Sequence, residues 1–215
     1  MATVAELQDE IKAKRDALIE HATKEAGGAL ARATITLAER ALDRVAADKG
    51  RGAILEPAAD LRDLRSDPAL RRALQSDLDM EAQRLTDEIP TWIEDGWLVE
   101  AQGQAEILSV DGLKITAKLD DAERAMLASY PVQGFTTAEI VDNLIATLKR
   151  DFLGAVGRGI ATASTPGGIL APLQKASEDH AGRVGRAAGE CFLAGTQAGR
   201  LSIGGALTRA VGSAP

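Results

Sequence analysis

Residues 171–200 read as one long helix whose surface is unusually bare. Gly182, Gly185, Ala187, Ala188, Gly189, Ala194, Gly195, Ala198 and Gly199 all fall inside it. Each interior glycine costs a helix up to about 1 kcal/mol relative to alanine. Such a helix is kept when a neighbouring helix approaches closely enough to use the missing side chains, so the stripe predicts tight helix–helix packing. The rest of the composition agrees. Hydrophobic residues make up 45% of the chain but aromatics only 3%, so Ala, Leu, Val and Ile must fill the core. That favours thin, closely packed helices over an aromatic-rich sandwich. At 215 residues there is room for one domain or two small ones, with a core that needs no disulfide.

Periodicity places further helices. Val4, Leu7, Ile11, Leu18 and Ala22 keep a 3–4 spacing over residues 3–26, and Lys14 takes the apolar place between Ile11 and Leu18. Thr3 and Glu6 have capping-box spacing, and Gly27-Gly28 ends the run. Leu30, Ala33, Leu37, Ala41 and Val45 line a second helix over about 29–48, stopped by Lys49-Gly50-Arg51-Gly52. Together they read as a helical hairpin. Pro57 opens a short helical turn through Leu64. Asp67 as N-cap with Pro68 at the first helical position starts the next helix. Leu70, Leu74, Leu78, Glu81 and Leu85 continue its stripe, and Ile89-Pro90 is expected to close it.

A change of character is expected after that. Trp97–Glu100 is a short strand candidate. Ala105–Val110 and Leu113–Leu119, joined by Asp111-Gly112, read as a β-hairpin, because Asp-Gly between alternating runs is a strong hairpin signal. Helices resume at Asp121–Ser129, with Asp120-Asp121 as the cap region. Tyr130–Phe135 is a connector. Thr136 and Glu139 form a second capping box before a stripe of Ile140, Leu144, Leu148, Phe152 and Val156 running to about Ala161. Residues 162–168 break the chain before the small-residue helix, and Ser202 onward reads as a mobile tail. The expected fold class is mainly α, a helical bundle or helical hairpins with one small β-hairpin insertion. The expected division is 1–90 helical, 91–120 hairpin, 121–203 helical and 204–215 flexible.

Charge narrows the function. The net charge is −7, and it is spread unevenly. Residues 1–90 carry 14 basic and 18 acidic side chains, residues 91–150 carry 5 and 10, and residues 151–215 carry 6 and 4. Only the last third is net positive, so DNA contact is expected to be weak at most. The single Cys191 sits among Phe192, Leu193 and Ala194, which suits a buried small hydrophobe and no internal disulfide. The first ten residues show neither a basic leader nor an apolar run, and no stretch approaches a membrane span of about 20 apolar residues. A cytosolic protein, or one assembled from the cytosol, is expected, without membrane association.

Tests for chemistry find no assembled site. The histidines are His21 and His180, and with Cys191 they lack zinc-site spacing. Both histidines are expected on helix surfaces. His180 and Cys191 lie eleven residues apart, about 16 Å along one helix at ~1.5 Å per residue, too far to pair. Gly154-Ala-Val-Gly157-Arg-Gly159 has no preceding strand and no following Gly-Lys-Ser/Thr, so it is no phosphate loop. Adjacent carboxylates such as Glu94-Asp95 and Glu178-Asp179 point to different helix faces. No catalytic residue, metal or cofactor is expected. Arg183 and Arg186 share a helix face with Arg200 further along. They suit DNA or partner contacts, or a solvated face paired with Glu178, Asp179 and Glu190. Trp92 and Trp97 suit a subunit contact, or a staple between hairpin and helices.

One resemblance adds a function. Tyr130-Pro-Val-Gln-Gly-Phe-Thr136 leads into a long helix, Gly159-Ile160, a Ser/Thr/Gly loop, then a helix with Arg186, Glu190, Ala194 and Gly199-Arg200. This order resembles the minor head, or head-morphogenesis, proteins of tailed phages (the Mu F-type family) over about residues 125–203. The chain departs from that pattern at Ala188-Gly189, where the family has Arg-Thr. It departs again at Thr196 or Gln197 in place of Asn, and Gly199-Arg200 falls one residue late. The resemblance implies a structural virion protein at the head or portal junction, acting in head assembly, closure or DNA delivery. It implies no catalytic residue. Its partners would be portal or other phage structural proteins, with self-association in the particle, and its location the virion and, during assembly, the host cytoplasm. The alternatives are a head–tail connector ring under the portal and a cytosolic helical adaptor that binds a partner protein.

Overall fold

The computed structural model describes residues 3–49, 63–108, 115–162 and 166–212. They form helices α1 (Val4–Gly28), α2 (Ala31–Lys49), α3 (Pro68–Leu108), α4 (Asp121–Ala128), α5 (Thr137–Thr162) and α6 (Pro166–Gly212), with a 3-10 turn at Asp63–Ser66. The starts are chemically marked. Glu6 accepts from the Thr3 amide at 2.7 Å while Thr3 Oγ1 accepts from the Glu6 amide at 3.2 Å. Asp67 Oδ1 accepts from the amides of Ala69 and Leu70, at 2.7 and 3.2 Å. Asp120 accepts from the Glu123 amide, and Thr136 with Glu139 repeats the reciprocal pattern of Thr3. Each satisfies backbone donors that a helix start leaves unpaired.

The mainly α class holds, and the hairpin insertion is corrected. Trp97–Leu108 is helix, continuous with Pro68 through Pro90. The apolar residues there recur at helical rather than alternating spacing. Ile93, Trp97, Ala101 and Ala105 are all buried. Their packing against α6 outweighs the roughly 3 kcal/mol that an interior proline costs. The Asp111-Gly112 turn lies outside the described residues, and 115–120 is irregular. No strand occurs among the described residues. A single pair, Val132 and Phe135, makes an isolated bridge. Residues 57–62 of the expected turn after Pro57 also lie outside them. The residues expected as a tail carry α6 on to Gly212.

The chain divides into two compact units, each assembled from separated stretches rather than consecutive blocks. The first unit takes Met1–Ala22, Leu85–Val141 and Val184–Pro215. Its interior holds Ile89, Trp92, Ile93, Trp97, Leu127, Cys191 and Phe192. Here the small-residue stripe does what its sequence predicts. A Cβ on Gly96 would overlap the Phe192 carbonyl oxygen, and one on Gly195 would overlap that of Ile93. On Gly199 a Cβ would sit 2.9 Å from the Trp97 carbonyl oxygen. Backbone lies against backbone along α3 and α6, which only glycine permits.

The second unit takes Thr23–Arg84 and Asp142–Arg183. Leu30, Leu37, Leu64, Leu74, Leu78, Leu148, Phe152, Ile169 and Leu173 form one continuous core. A fully buried Leu or Phe side chain contributes roughly 1.5–3 kcal/mol relative to exposure. Among the described residues, no helix is long and apolar enough to cross a membrane.

Candidate functional site

The second unit contains a polar cluster at positions where both contributing helices should be apolar. Along α3 the inward stripe runs Leu70, Leu74, Leu78, Glu81, so Glu81 carries its carboxylate into the interior at 2% exposure. Along α6 the stripe runs Leu173, Ala176, His180, and His180 is fully buried. Their side chains meet with His180 Nε2 at 2.7 Å from Glu81 Oε1. Arg84, three residues after Glu81, donates through Nε to Oε2 and through Nη2 to Oε1, both at 2.8 Å. A carboxylate held by a two-pronged guanidinium is a strong, directional arrangement.

The electrostatics follow from this geometry. Burial alone would raise the Glu81 pKa. Hydrogen bonds from Arg84 and His180, together with the Arg84 charge, outweigh burial and hold it below its usual 4.5. The group is therefore a carboxylate, which only accepts, so His180 donates through Nε2. The other ring nitrogen, Nδ1, is buried without a hydrogen-bond partner.

One turn earlier, Asp77 does a related job. It is 2% exposed and accepts from the Ala33 amide and from Arg32 Nε, each at 2.7 Å. Its negative charge thus caps the N-terminus of α2 from another helix, where the exposed amides and the dipole favour an anion. Lys24, Arg32, Asp77, Met80, Glu81 and Arg84 border an open cleft of about 540 Å³ in this unit. Chemically the cluster is a clamp. The carboxylates are engaged by their neighbours, and His180 has no route to solvent.

The residues singled out from the sequence are dispersed. Arg183 donates to Asp151 at 2.6 Å, not to Glu178, Asp179 or Glu190. Arg200 donates to the fully buried Glu100 at 2.6 Å, and Gln104 donates to the same oxygen at 3.0 Å. Arg186 is exposed. Trp92 and Trp97, at 2% and 1% exposure, are enclosed by their own chain. His21 is exposed as expected, whereas the surface placement of His180 is corrected: it replaces an apolar residue in the α6 stripe because Glu81 waits opposite. Sequence reading missed this pair, although its signal was present as two complementary polar residues in two apolar stripes. Cys191 is buried, and its thiol is pushed up to about 12 by burial and then by the Glu190 charge. Among the described residues, no group of three or more His, Cys, Asp or Glu is placed to hold a metal ion.

No family model, curated protein or solved structure matches this chain.

Proposed function

We propose that the chain is a structural protein of a tailed-phage particle, acting by protein–protein contact at the head or the head–tail junction and not by catalysis. The observation that carries the reading is the Tyr130–Thr136 stretch, where the resemblance begins. Val132 and Phe135 exchange both backbone hydrogen bonds, at 2.9 and 3.0 Å, across Gln133-Gly134. Gln133 and Gly134 have φ of 54° and 86°, the positive values of a type I′ turn. The turn delivers the chain to the capped start of α5. In the resembling family the corresponding stretch leads into paired helices, as Tyr130–Thr136 leads into α5 here.

A second observation supports a non-enzyme. The buried Asp77, Glu81 and Glu100 are all committed to neighbouring side chains or backbone. Asp77, Glu81 and Glu100 each bond to a residue of another helix, which is a structural use of a buried carboxylate. Portal or other head proteins are then the partners, with several copies in the particle.

Native mass spectrometry of the purified chain, alone and with a tailed-phage portal protein, tests the reading. Association with the portal, and recovery of the chain from purified particles, are expected. A closed ring would favour the connector form of the proposal. A monomer that ignores the portal and is absent from particles would overturn the virion reading and leave a cytosolic adaptor.

A further inference from the structure

Three large apolar side chains of the first unit stand exposed around α4. Met126 is 36% exposed on the helix itself, and Phe135 is 49% exposed on the turn that follows it. Leu201, at 68%, belongs to α6, where its neighbour Ser202 donates to Glu123 of α4 at 2.9 Å. That bond holds α6 beside α4 at this point. Thr137 Oγ1 donates to the Ala128 carbonyl at 3.4 Å, which returns the start of α5 to the end of α4. Exposed apolar side chains on elements tied together in this way are candidates for a contact surface.

The unit that carries them is acidic as a whole. The first unit carries 17 acidic and 9 basic side chains, net −8, against 15 and 16, net +1, in the second. Asp120, Asp121 and Glu139 border α4 and the turn, and all three are exposed. Asp120 and Glu139 are fixed in place as helix caps. The cation of α4, Arg124, is already paired with Glu94 and Asp121, both at 3.6 Å. Such a field repels nucleic acid and anionic lipid and attracts cations.

We propose that Met126, Phe135 and Leu201, framed by Asp120, Asp121 and Glu139, form a docking surface for a basic amphipathic helix of a partner protein. The apolar face of that helix covers the three side chains and its Lys or Arg residues meet the carboxylates. The Val132–Phe135 turn holds Phe135 in position beforehand, so little order is lost on binding. The inference rests on the reading of this chain as a protein that works by contact, and it names the chemistry of that contact.

The probe is a fluorescently labelled amphipathic Leu/Lys peptide, titrated with the whole protein. Saturable binding is expected, weaker in high salt and absent for the Leu/Glu counterpart. Phe135→Ser with Leu201→Ser should weaken it at least tenfold with an unchanged melting temperature. Should that variant unfold, Asp121→Lys, which leaves the apolar residues in place, should still weaken binding several-fold at low salt. Ile35→Ser with Leu42→Ser, exposed apolar positions of the other unit, should change nothing. Wild-type affinity in the Phe135/Leu201 variant, or equal loss in the Ile35/Leu42 variant, would overturn the proposal. So would a wild-type dimer that the Phe135/Leu201 variant abolishes, since a second copy would then be the occupant. No portal or particle enters this assay, so its failure is separate from failure of the virion reading.

Discussion

Glu81 and His180 lie 99 residues apart in sequence, and their side chains meet at 2.7 Å inside the second unit. Replacing only one of them leaves the other without its partner in the interior. Arg84, with a side chain 19% exposed, can turn toward water, but His180 cannot. Glu81→Leu is therefore expected to cost about 1–3 kcal/mol, the range for leaving a buried hydrogen-bonding group without its partner. Adding His180→Leu should restore part of that loss, giving a coupling of roughly 0.5–3 kcal/mol. Chemical denaturation of the two single variants and the double variant measures it. Strict additivity would mean that the pair does not act as a unit.

The same carboxylate sets an acid response. Its folded pKa lies below the ordinary 4.5, so the folded state binds the proton less readily than the unfolded chain does. The associated stability is fully present above pH 4.5 and is lost as pH falls through the lower folded value. Melting temperature followed downward from pH 6 should drop more steeply below about pH 4.5 in the wild type than in Glu81→Gln. Glu6 and Glu139, lowered by their bonds to Thr3 and Thr136, contribute the same sign in both proteins and cancel in the comparison. Parallel curves would remove Glu81 from the account.

Glycine along α6 divides into two kinds. Gly195 faces the Ile93 carbonyl, a backbone atom that cannot swing aside, whereas Gly204 has nothing within 4 Å. Gly195→Ala should destabilise by about 1–3 kcal/mol, as overpacking of a tight core does. Gly204→Ala should stabilise by up to about 1 kcal/mol through helix propensity. Opposite shifts in melting temperature are the expected result. A shift of the same sign in both would mean that close packing of α3 on α6 is not what keeps Gly195.

These sites show what the sequence made legible. The capping residues Thr3, Asp67, Asp120 and Thr136 announce their helices because the signal is local: one side chain, three residues from the amide it serves. The glycine stripe announces close packing because its cost needs an offset. Trp97–Leu108 misleads because Val99, Ile107 and their neighbours look like strand residues locally. Their state is decided by α1 and α6, both distant in sequence, whose Leu7, Ile11 and Phe192 they pack with. Pro90 misleads for the same reason, since the penalty is local and the compensation is tertiary. The Glu81–His180 pair shows only when two apolar stripes are compared, each with one polar position, and neither helix reveals alone which residue the other will present. Asp77 shows still less, because the helix it caps belongs to a different part of the chain.

Cys191 offers a direct reading of how firmly the first unit is closed. The thiol is fully buried and its pKa is pushed up to about 12, so at pH 8 it is protonated and shielded together. A thiolate is the reactive form, and both conditions suppress it. An aromatic disulfide reagent at pH 8 should therefore react no faster than the unit opens. The rate should become independent of reagent at high reagent concentration and rise with added denaturant. Gly195→Ala, which disturbs the α3–α6 contact one turn away, should accelerate it. Labelling that is immediate in the native wild type, and proportional to reagent throughout, would mean that the α3–α6 contact opens freely around Cys191.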